Sequence, residues 1–506
     1  MSFWSNRWNC CQGGKAALFC TKVWLHILTG HSKIGTAELL YRRIEKERIV
    51  MERERLGSRL GFLLLSAGCA IGLGNVWKFP YMVGQNGGGA FVLIYAFFLI
   101  ALGMPIMTME FAIGRASQKS PVKFYQALEK KGSKWHFHGY MSLAGNYLLL
   151  MFYTSVAGWL LQYFVKTLSG DFEGKDAVGV KEVYKGMLAK PGMLLLSTAI
   201  TIVLAMAVCS IGLAKGLEPI TKWMMLALLA IMVVLAVNSM TLPRSKEGLE
   251  FYLVPSLSRM KEVGIGNVVV SAMNQAFFTL SIGIGSMAVF GSYIGKERAL
   301  MGEATRVAVL DTFVAFASGL IIFPACMAYD VQVNEGPDLI FITLPNVFND
   351  MSLGRVWGSL FFVFMSFAAL STVLAVFENL VSCTMDLFSW GRKKACLING
   401  VLLFVLSMPC VLGFNVWKRI NPLGAGSNIM DLEDFIVSNL MLPLGALVFI
   451  LFCTRRYGWG WDKFTAEANE GKGMKVAKWM RGYLTYVLPA VVLVVFVIGL
   501  YNVFAK

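Results

Sequence analysis

Charge is scarce in this chain, and acid is scarcer than base. Only 15% of its 506 residues are Asp, Glu, Lys or Arg, against roughly 25% in an ordinary soluble domain. Thirty acidic residues face 46 basic ones, a net charge of +16. In a soluble protein that excess would suggest nucleic acid as a partner. Here the basic residues cluster in particular loops between apolar runs, where orientation on a membrane accounts for them and no nucleic acid is implied. Histidine is rarer still: His26, His31, His136 and His138 show no metal-binding spacing with a carboxylate. The ten cysteines contain no C-x-x-C pair, and most sit in apolar runs (Cys69, Cys209, Cys326, Cys383, Cys410). That argues against a disulfide framework and against a zinc site. No His, Ser or Cys stands at catalytic spacing from an acid, which leaves an enzyme without its constellation. What is abundant is apolar surface: 57% of the residues are hydrophobic and the mean hydropathy is +0.62. The class this implies is a polytopic membrane protein.

A helix crossing the hydrocarbon core needs about 20 mostly apolar residues. Eleven such stretches are expected, at about 60–84, 88–113, 139–166, 192–213, 217–238, 267–294, 303–328, 355–385, 395–414, 430–453 and 480–503. The sixth to eighth are expected to be long or broken. Basic residues flank the first span, follow the second (Arg115, Lys119, Lys123, Lys130, Lys131, Lys134), the eighth (Arg392, Lys393, Lys394) and the tenth (Arg455, Arg456, Lys463, Lys472, Lys475, Lys478, Arg481). The loop after the seventh, Tyr329 to Gly354, is more acidic (Asp330, Glu335, Asp338, Asp350). With positive charge inside, the N-terminus is cytoplasmic and Lys506 lies outside. Residues 1–52 read as an N-terminal extension, either a targeting segment or residues upstream of a start at Met51.

Two spans carry the same interruption. The first contains Gly68-Cys69-Ala70-Ile71-Gly72-Leu73-Gly74-Asn75, and the sixth contains Ser281-Ile282-Gly283-Ile284-Gly285. Glycine in a helix interior costs about 1 kcal/mol against alanine, so two within a turn favour local unwinding. Either motif alone is also what close helix packing uses. Their recurrence five spans apart points to paired broken helices and a binding site between two repeats. Unwound backbone at membrane depth survives only where protein, water or ligand satisfies it. Freed carbonyls suit a cation such as sodium, and freed amides suit a carboxylate. A zwitterion carried with sodium would use both.

The run Arg59-Leu60-Gly61 … Gly68-x-Ala70-Ile71-Gly72-Leu73-Gly74-Asn75-x-Trp77-Lys78-Phe79-Pro80, with Asn86-Gly87-Gly88-Gly89-Ala90-Phe91 and Gly103-x-Pro105 … Glu110 … Gly114-Arg115, resembles the bacterial branch of the neurotransmitter:sodium symporter family. The resemblance extends from about Arg53 to the end. It implies an all-α polytopic membrane protein with a LeuT-like 5+5 inverted repeat, broken helices 1 and 6, and about 11 transmembrane helices. The repeats would be 53–265 and 266–454, with 455–506 forming a cytoplasmic loop and the eleventh helix.

The resemblance also implies sites. One sodium would take the Ala70 carbonyl, Asn75, Thr279 and Asp311, with the substrate carboxylate. A second would take carbonyls of Gly68, Ile71 and Ala368 and hydroxyls of Ser371 and Thr372. Read without the family, those two hydroxyls would simply bond back to their own helix. The substrate would be lined by Cys69, Ala70, Gly72, Gly74, Leu149, Tyr153, Phe278, Thr279, Ser281, Ile284, Thr372 and Val376. Monoamine-carrying relatives have Asp where Gly72 stands, so the implied substrate is an amino acid, and the apolar lining favours a hydrophobic one. Lys78 and Asp434 match an outer gate. Arg53 and Asp386, with Ser292 and Tyr293 beside them, match an inner gate, although Arg53 also reads as one more positive-inside charge. Glu110 and Glu378 are expected to hold freed backbone near the sixth span. Asp311, where many relatives have Asn, is expected to replace chloride by balancing the buried positive charge. The implied function is sodium-coupled symport of a small amino acid across the plasma (inner) membrane. The other readings are a sensor of the same fold that binds without transport, and a membrane-embedded enzyme.

Overall fold

The computed structural model describes residues 56–329 and 338–504. The N-terminal extension 1–52, the gate residue Arg53, the acidic loop positions Asp330 and Glu335, and Lys506 lie outside the described residues.

Among the described residues, nine uninterrupted helices are long and apolar enough to span a membrane. They are Gly89–Ser117, His136–Ser169, Pro191–Ile211, Leu213–Met240, Leu300–Ala328, Gly354–Phe388, Arg392–Leu412, Ile429–Thr454 and Met480–Tyr501. Ahead of them stands a bent pair, Arg59–Ala70 and Gly74–Gln85, whose halves differ in direction by 52°. The sixth span is divided more severely, into Ile265–Thr279 and Ser286–Gly291. Each half is too short to cross a bilayer alone. In chain order these make eleven spans, numbered one to eleven below. No strand forms among the described residues; two isolated bridges are the only β pairings. The structure adds short helices where the sequence reading has loops, among them Pro121–Leu128, Ala177–Leu188, Leu344–Asp350 and Trp461–Ala468.

Six π-helical turns occur among the described residues: Gly74–Lys78, Leu99–Gly103, Leu213–Leu217, Leu339–Thr343, Ile436–Met441 and Tyr483–Val487. Each is followed two residues later by proline: Pro80, Pro105, Pro219, Pro345, Pro443 and Pro489. Proline has no N–H to donate and its ring collides with the carbonyl one turn back. Widening that turn by one residue relieves the collision without breaking the helix. Proline alone does not place a bulge, since Pro324 and Pro409 lie inside helices without one.

Burial sorts the spans into centre and rim. The most apolar stretch of span eight is 78% buried inside the protein, that of span eleven 28%. Spans three and eight pack along each other, spans five and seven do likewise, and span one lies against spans five, seven and eight. The two breaks thus fall in the most enclosed part of the molecule.

Candidate functional site

The break in span one is short: Ile71 and Gly72 are non-helical, and Leu73 is already in the helical region (φ −59°, ψ −25°). The first half ends at Ala70, and Ile71 turns to an extended conformation (φ −72°, ψ 101°). The second half begins with the π turn at Gly74. The break in span six holds three residues in the left-handed region: Ser281 (φ 49°), Gly283 (φ 102°) and Gly285 (φ 74°). A side chain at φ near +100° is strained, so glycine is required at 283.

Protein groups take up the freed backbone. The Gly283 amide donates to Glu110 Oε1 at 2.6 Å. The Ile284 carbonyl accepts from Asn146 Nδ2 at 2.9 Å. The Ser281 hydroxyl donates to the Cys69 carbonyl at 3.1 Å, tying one break to the other. In span one, the Leu73 amide donates to the Tyr153 hydroxyl at 2.7 Å, and the Gly72 amide donates to Asn75 Oδ1 at 3.1 Å. Gln275 Nε2 donates to the Gly74 carbonyl at 2.8 Å. Satisfied this way, non-helical chain can persist at membrane depth.

Between the breaks lies a small cavity. Cys69, Ala70, Gly74, Leu149, Tyr153, Phe278, Ser281, Ile284 and Thr372 line it. So do Val437 and Leu442, which sequence reasoning missed. Both belong to the π-bulged part of span ten, and Pro443 was the signal that could have found them. Three expected residues do not form its wall: Gly72, Thr279 and Val376. Gly72 lies behind Tyr153 and Thr372, and a Cβ there would overlap both of their hydroxyls. Thr279 turns to Asp311. Val376 is fully buried one turn beyond Thr372.

Two clusters of oxygen atoms flank the cavity. In the first, Asp311 Oδ1 accepts from Asn75 Nδ2 at 2.8 Å, and both carboxylate oxygens accept from the Thr279 hydroxyl at 3.1–3.2 Å. Asp311 is completely buried with no cationic side chain in contact among the described residues. In the second, Thr372 Oγ1 lies 3.2 Å from the Gly68 carbonyl, 3.3 Å from that of Ile71 and 3.5 Å from that of Ala368. Ser371 Oγ lies 2.9 Å from the Ala368 carbonyl and 3.4 Å from that of Ile71. Five oxygen donors from two spans thus converge where one span is unwound. An all-oxygen set of this kind fits a hard cation.

On one side of the cavity, Lys78 Nζ reaches Asp434 at 3.0 and 3.1 Å and Ser438 at 3.1 Å. It also sits 4.0 Å from the centre of the Phe278 ring. The other gate candidates are placed differently from one another. Asp386 accepts the Ser120 amide at 2.7 Å. Ser292 donates to the Val289 carbonyl at 2.6 Å. Tyr293 donates to Glu378 at 2.9 Å. Glu378 does not hold backbone of span six; it forms a two-pronged pair with Arg392 at 2.7 and 3.0 Å. Asn146, Ser286 and Asn379 form a buried network joining spans three, six and eight that the sequence reading did not single out.

The model of the sodium:neurotransmitter symporter family matches residues 53–176 and 175–506. A sodium-dependent transporter of Bacillus subtilis, YhdH, is 33% identical over 87% of this chain and 96% of its own length. Another, MJ1319 of Methanocaldococcus jannaschii, is 33% identical over 88% of this chain and 89% of its own. Among solved structures, MhsT in complex with L-phenylalanine superposes with a TM-score of 0.80 at 37% identity, covering 88% of this chain and 99% of MhsT. The chain belongs to the sodium:neurotransmitter symporter family and is a multi-pass membrane transporter dependent on sodium, not an enzyme.

Proposed function

We propose that this chain carries a hydrophobic amino acid, aliphatic or aromatic, across the membrane together with sodium, by alternating access. The observation that carries the reading is the chemistry around Gly72. A Cβ there would meet the hydroxyls of Tyr153 and Thr372, so this position has no room for an aspartate that would pair with a bare amine. The Tyr153 hydroxyl, which accepts from the Leu73 amide, would donate to a substrate carboxylate. The rest of the wall, with Leu149, Phe278, Ile284, Val437 and Leu442, favours an apolar side chain by burial. MhsT, solved with L-phenylalanine, supports the same substrate class.

Sodium fits two places. One is the set of Ala70, Asn75, Thr279 and Asp311, completed by the substrate carboxylate. The other is the set of Gly68, Ile71, Ala368, Ser371 and Thr372. In the second, the hydroxyls now donate to carbonyls that would turn to the ion, which supplies the charge these lone pairs balance. Asp311 would offset the net positive charge of two cations and a zwitterion, removing the need for chloride. Lys78, Asp434 and Phe278 would close the outer path. The N-terminus would be cytoplasmic and the C-terminus outside, in the plasma (inner) membrane. The two five-helix repeats, 53–265 and 266–454, would carry the rocking motion.

The test is a panel of labelled amino acids with purified protein in sodium and in choline, followed by uptake into proteoliposomes. Sodium-dependent binding and accumulation of L-leucine or L-phenylalanine are expected. Absence of sodium-dependent binding for every amino acid overturns the reading.

A further inference from the structure

The break in span six leaves Ile284 outside both half-helices, between Gly283 (φ 102°) and Gly285 (φ 74°). Ile284 lines the cavity, so its position sets how much room a substrate side chain has. Its own stretch of backbone does not fix that position. Glycine on either side gives the chain its widest choice of φ.

Span three supplies what the backbone lacks, through two neighbouring residues. Asn146 Nδ2 donates to the Ile284 carbonyl at 2.9 Å. Gly145 gives the Ile284 side chain its seat. A Cβ at 145 would lie 3.0 Å from Ile284 Cγ2 and 3.2 Å from Met441 Cε. Asn146 is itself held from every direction. Its Nδ2 also donates to the Ser142 carbonyl at 2.6 Å. Its Oδ1 accepts from the Ser286 hydroxyl at 3.0 Å and from Asn379 Nδ2 at 2.9 Å. Those bonds fill the capacity of an amide side chain, with two donors and two lone pairs. They also fix which way the amide points, because a flipped one would set its oxygen against two carbonyls.

Asn146, Ser286 and Asn379 are all completely buried. They sit just past residues of the substrate site on their own spans. Asn146 is one turn before Leu149, Ser286 is two residues after Ile284, and Asn379 is two turns after Thr372. A buried polar network with its members satisfied is rigid. One role for it is simply to join three spans. The bond to Ile284 goes further, because it carries that rigidity to a residue of the cavity wall.

We propose that Gly145 and Asn146, backed by Ser286 and Asn379, are positioning residues that fix Ile284 and thereby set how large a substrate side chain the cavity accepts. A wall that cannot yield turns small differences in size into affinity. One methylene too many or too few in an apolar pocket is worth about tenfold or more. A wall released from its support gives up that discrimination, and bulky substrates gain on small ones. The inference rests on the amino-acid substrate proposed above.

The experiment is sodium-dependent equilibrium binding of L-valine, L-leucine, L-phenylalanine and L-tryptophan to the purified full-length protein. The readout is the affinity of the bulkiest ligand that binds relative to that of the smallest. A loss of folded protein does not move this ratio. Asn146→Leu keeps the volume but removes the bond to Ile284, and should raise the ratio about tenfold. Ile284→Ala removes the side chain through which Asn146 acts. In that background Asn146→Leu should leave the ratio unchanged. A rise of less than about threefold with Asn146→Leu alone overturns the proposal, as does a rise that persists in the Ile284→Ala background. If Asn146→Leu does not fold, Gly145→Ala decides. Its methyl presses Ile284 toward the open space of the cavity and should lower the ratio; a ratio unchanged or raised overturns the proposal. Failure of the amino-acid reading has a separate signature, wild type that binds none of the four in sodium.

Discussion

Gly72→Ala isolates one contact on which the substrate site depends. A methyl group at 72 would overlap the Tyr153 hydroxyl and the Thr372 hydroxyl, both closer than any real Cβ contact. Neither neighbour can retreat freely. Tyr153 is 2% exposed and holds the Leu73 amide at 2.7 Å. Thr372 holds the Gly68 and Ile71 carbonyls. Inserting a methyl into such packing costs about 1–3 kcal/mol. Pushing Tyr153 aside strands a buried amide, at about 1–3 kcal/mol more. The sum, about 2–6 kcal/mol, falls on the ligand-binding geometry. At 1.4 kcal/mol per tenfold, even the low end weakens binding about 30-fold. The assay is sodium-dependent equilibrium binding of labelled L-phenylalanine and L-leucine to purified protein. A double-mutant cycle with Tyr153→Phe sharpens it. Removing the hydroxyl makes room for the methyl, so the two losses should be markedly less than additive. Binding by Gly72→Ala within about threefold of wild type, or strictly additive losses in the cycle, refutes the reasoning, since each corresponds to under about 1 kcal/mol.

Four further outcomes are expected. Asp311→Asn removes the buried negative charge and should make uptake depend on chloride; equal uptake in chloride and gluconate contradicts this. Thr372→Val keeps the shape but removes the hydroxyl shared by the Gly68 and Ile71 carbonyls. It should raise the sodium concentration for half-maximal binding about tenfold, one charge-assisted contact being worth about 1.5–3 kcal/mol; an unchanged sodium dependence argues against the second site. Arg392→Met leaves Glu378, fully buried, without its cationic partner, and should destabilise the fold by about 3–5 kcal/mol. The readout is thermal melting, in which Arg392→Met with Glu378→Gln should recover much of the loss. Lys78→Ala breaks a pair whose side chains are 25% and 38% exposed, so stability should change by under about 1 kcal/mol, while substrate dissociation toward the outside should quicken severalfold in stopped-flow measurements.

The sequence by itself determined what depends on local sums and on single-residue geometry. Runs of apolar residues set the number and order of the spans, because a bilayer asks each one for the same length. Glycine at 72, 74, 283 and 285 marked where helix would fail, because glycine is the residue least held to helical φ and ψ. Prolines 80, 105, 219, 345, 443 and 489 each follow a π turn, because the ring blocks the normal hydrogen bond there, although Pro324 and Pro409 sit in helices without one. Hydropathy over 267–294 nonetheless reads as one continuous span, since apolarity says nothing of backbone direction. The tertiary structure decided how far span six comes apart, through Glu110 on Gly283 and Asn146 on Ile284, partners 173 and 138 residues away. It also decided that Val437 and Leu442 face the cavity, and that Glu378 turns from span six to Arg392. Partnerships of this kind rest on which surfaces the packed helices bring together. A buried acid must find a donor or a proton wherever packing leaves it, and no local pattern in the chain records which.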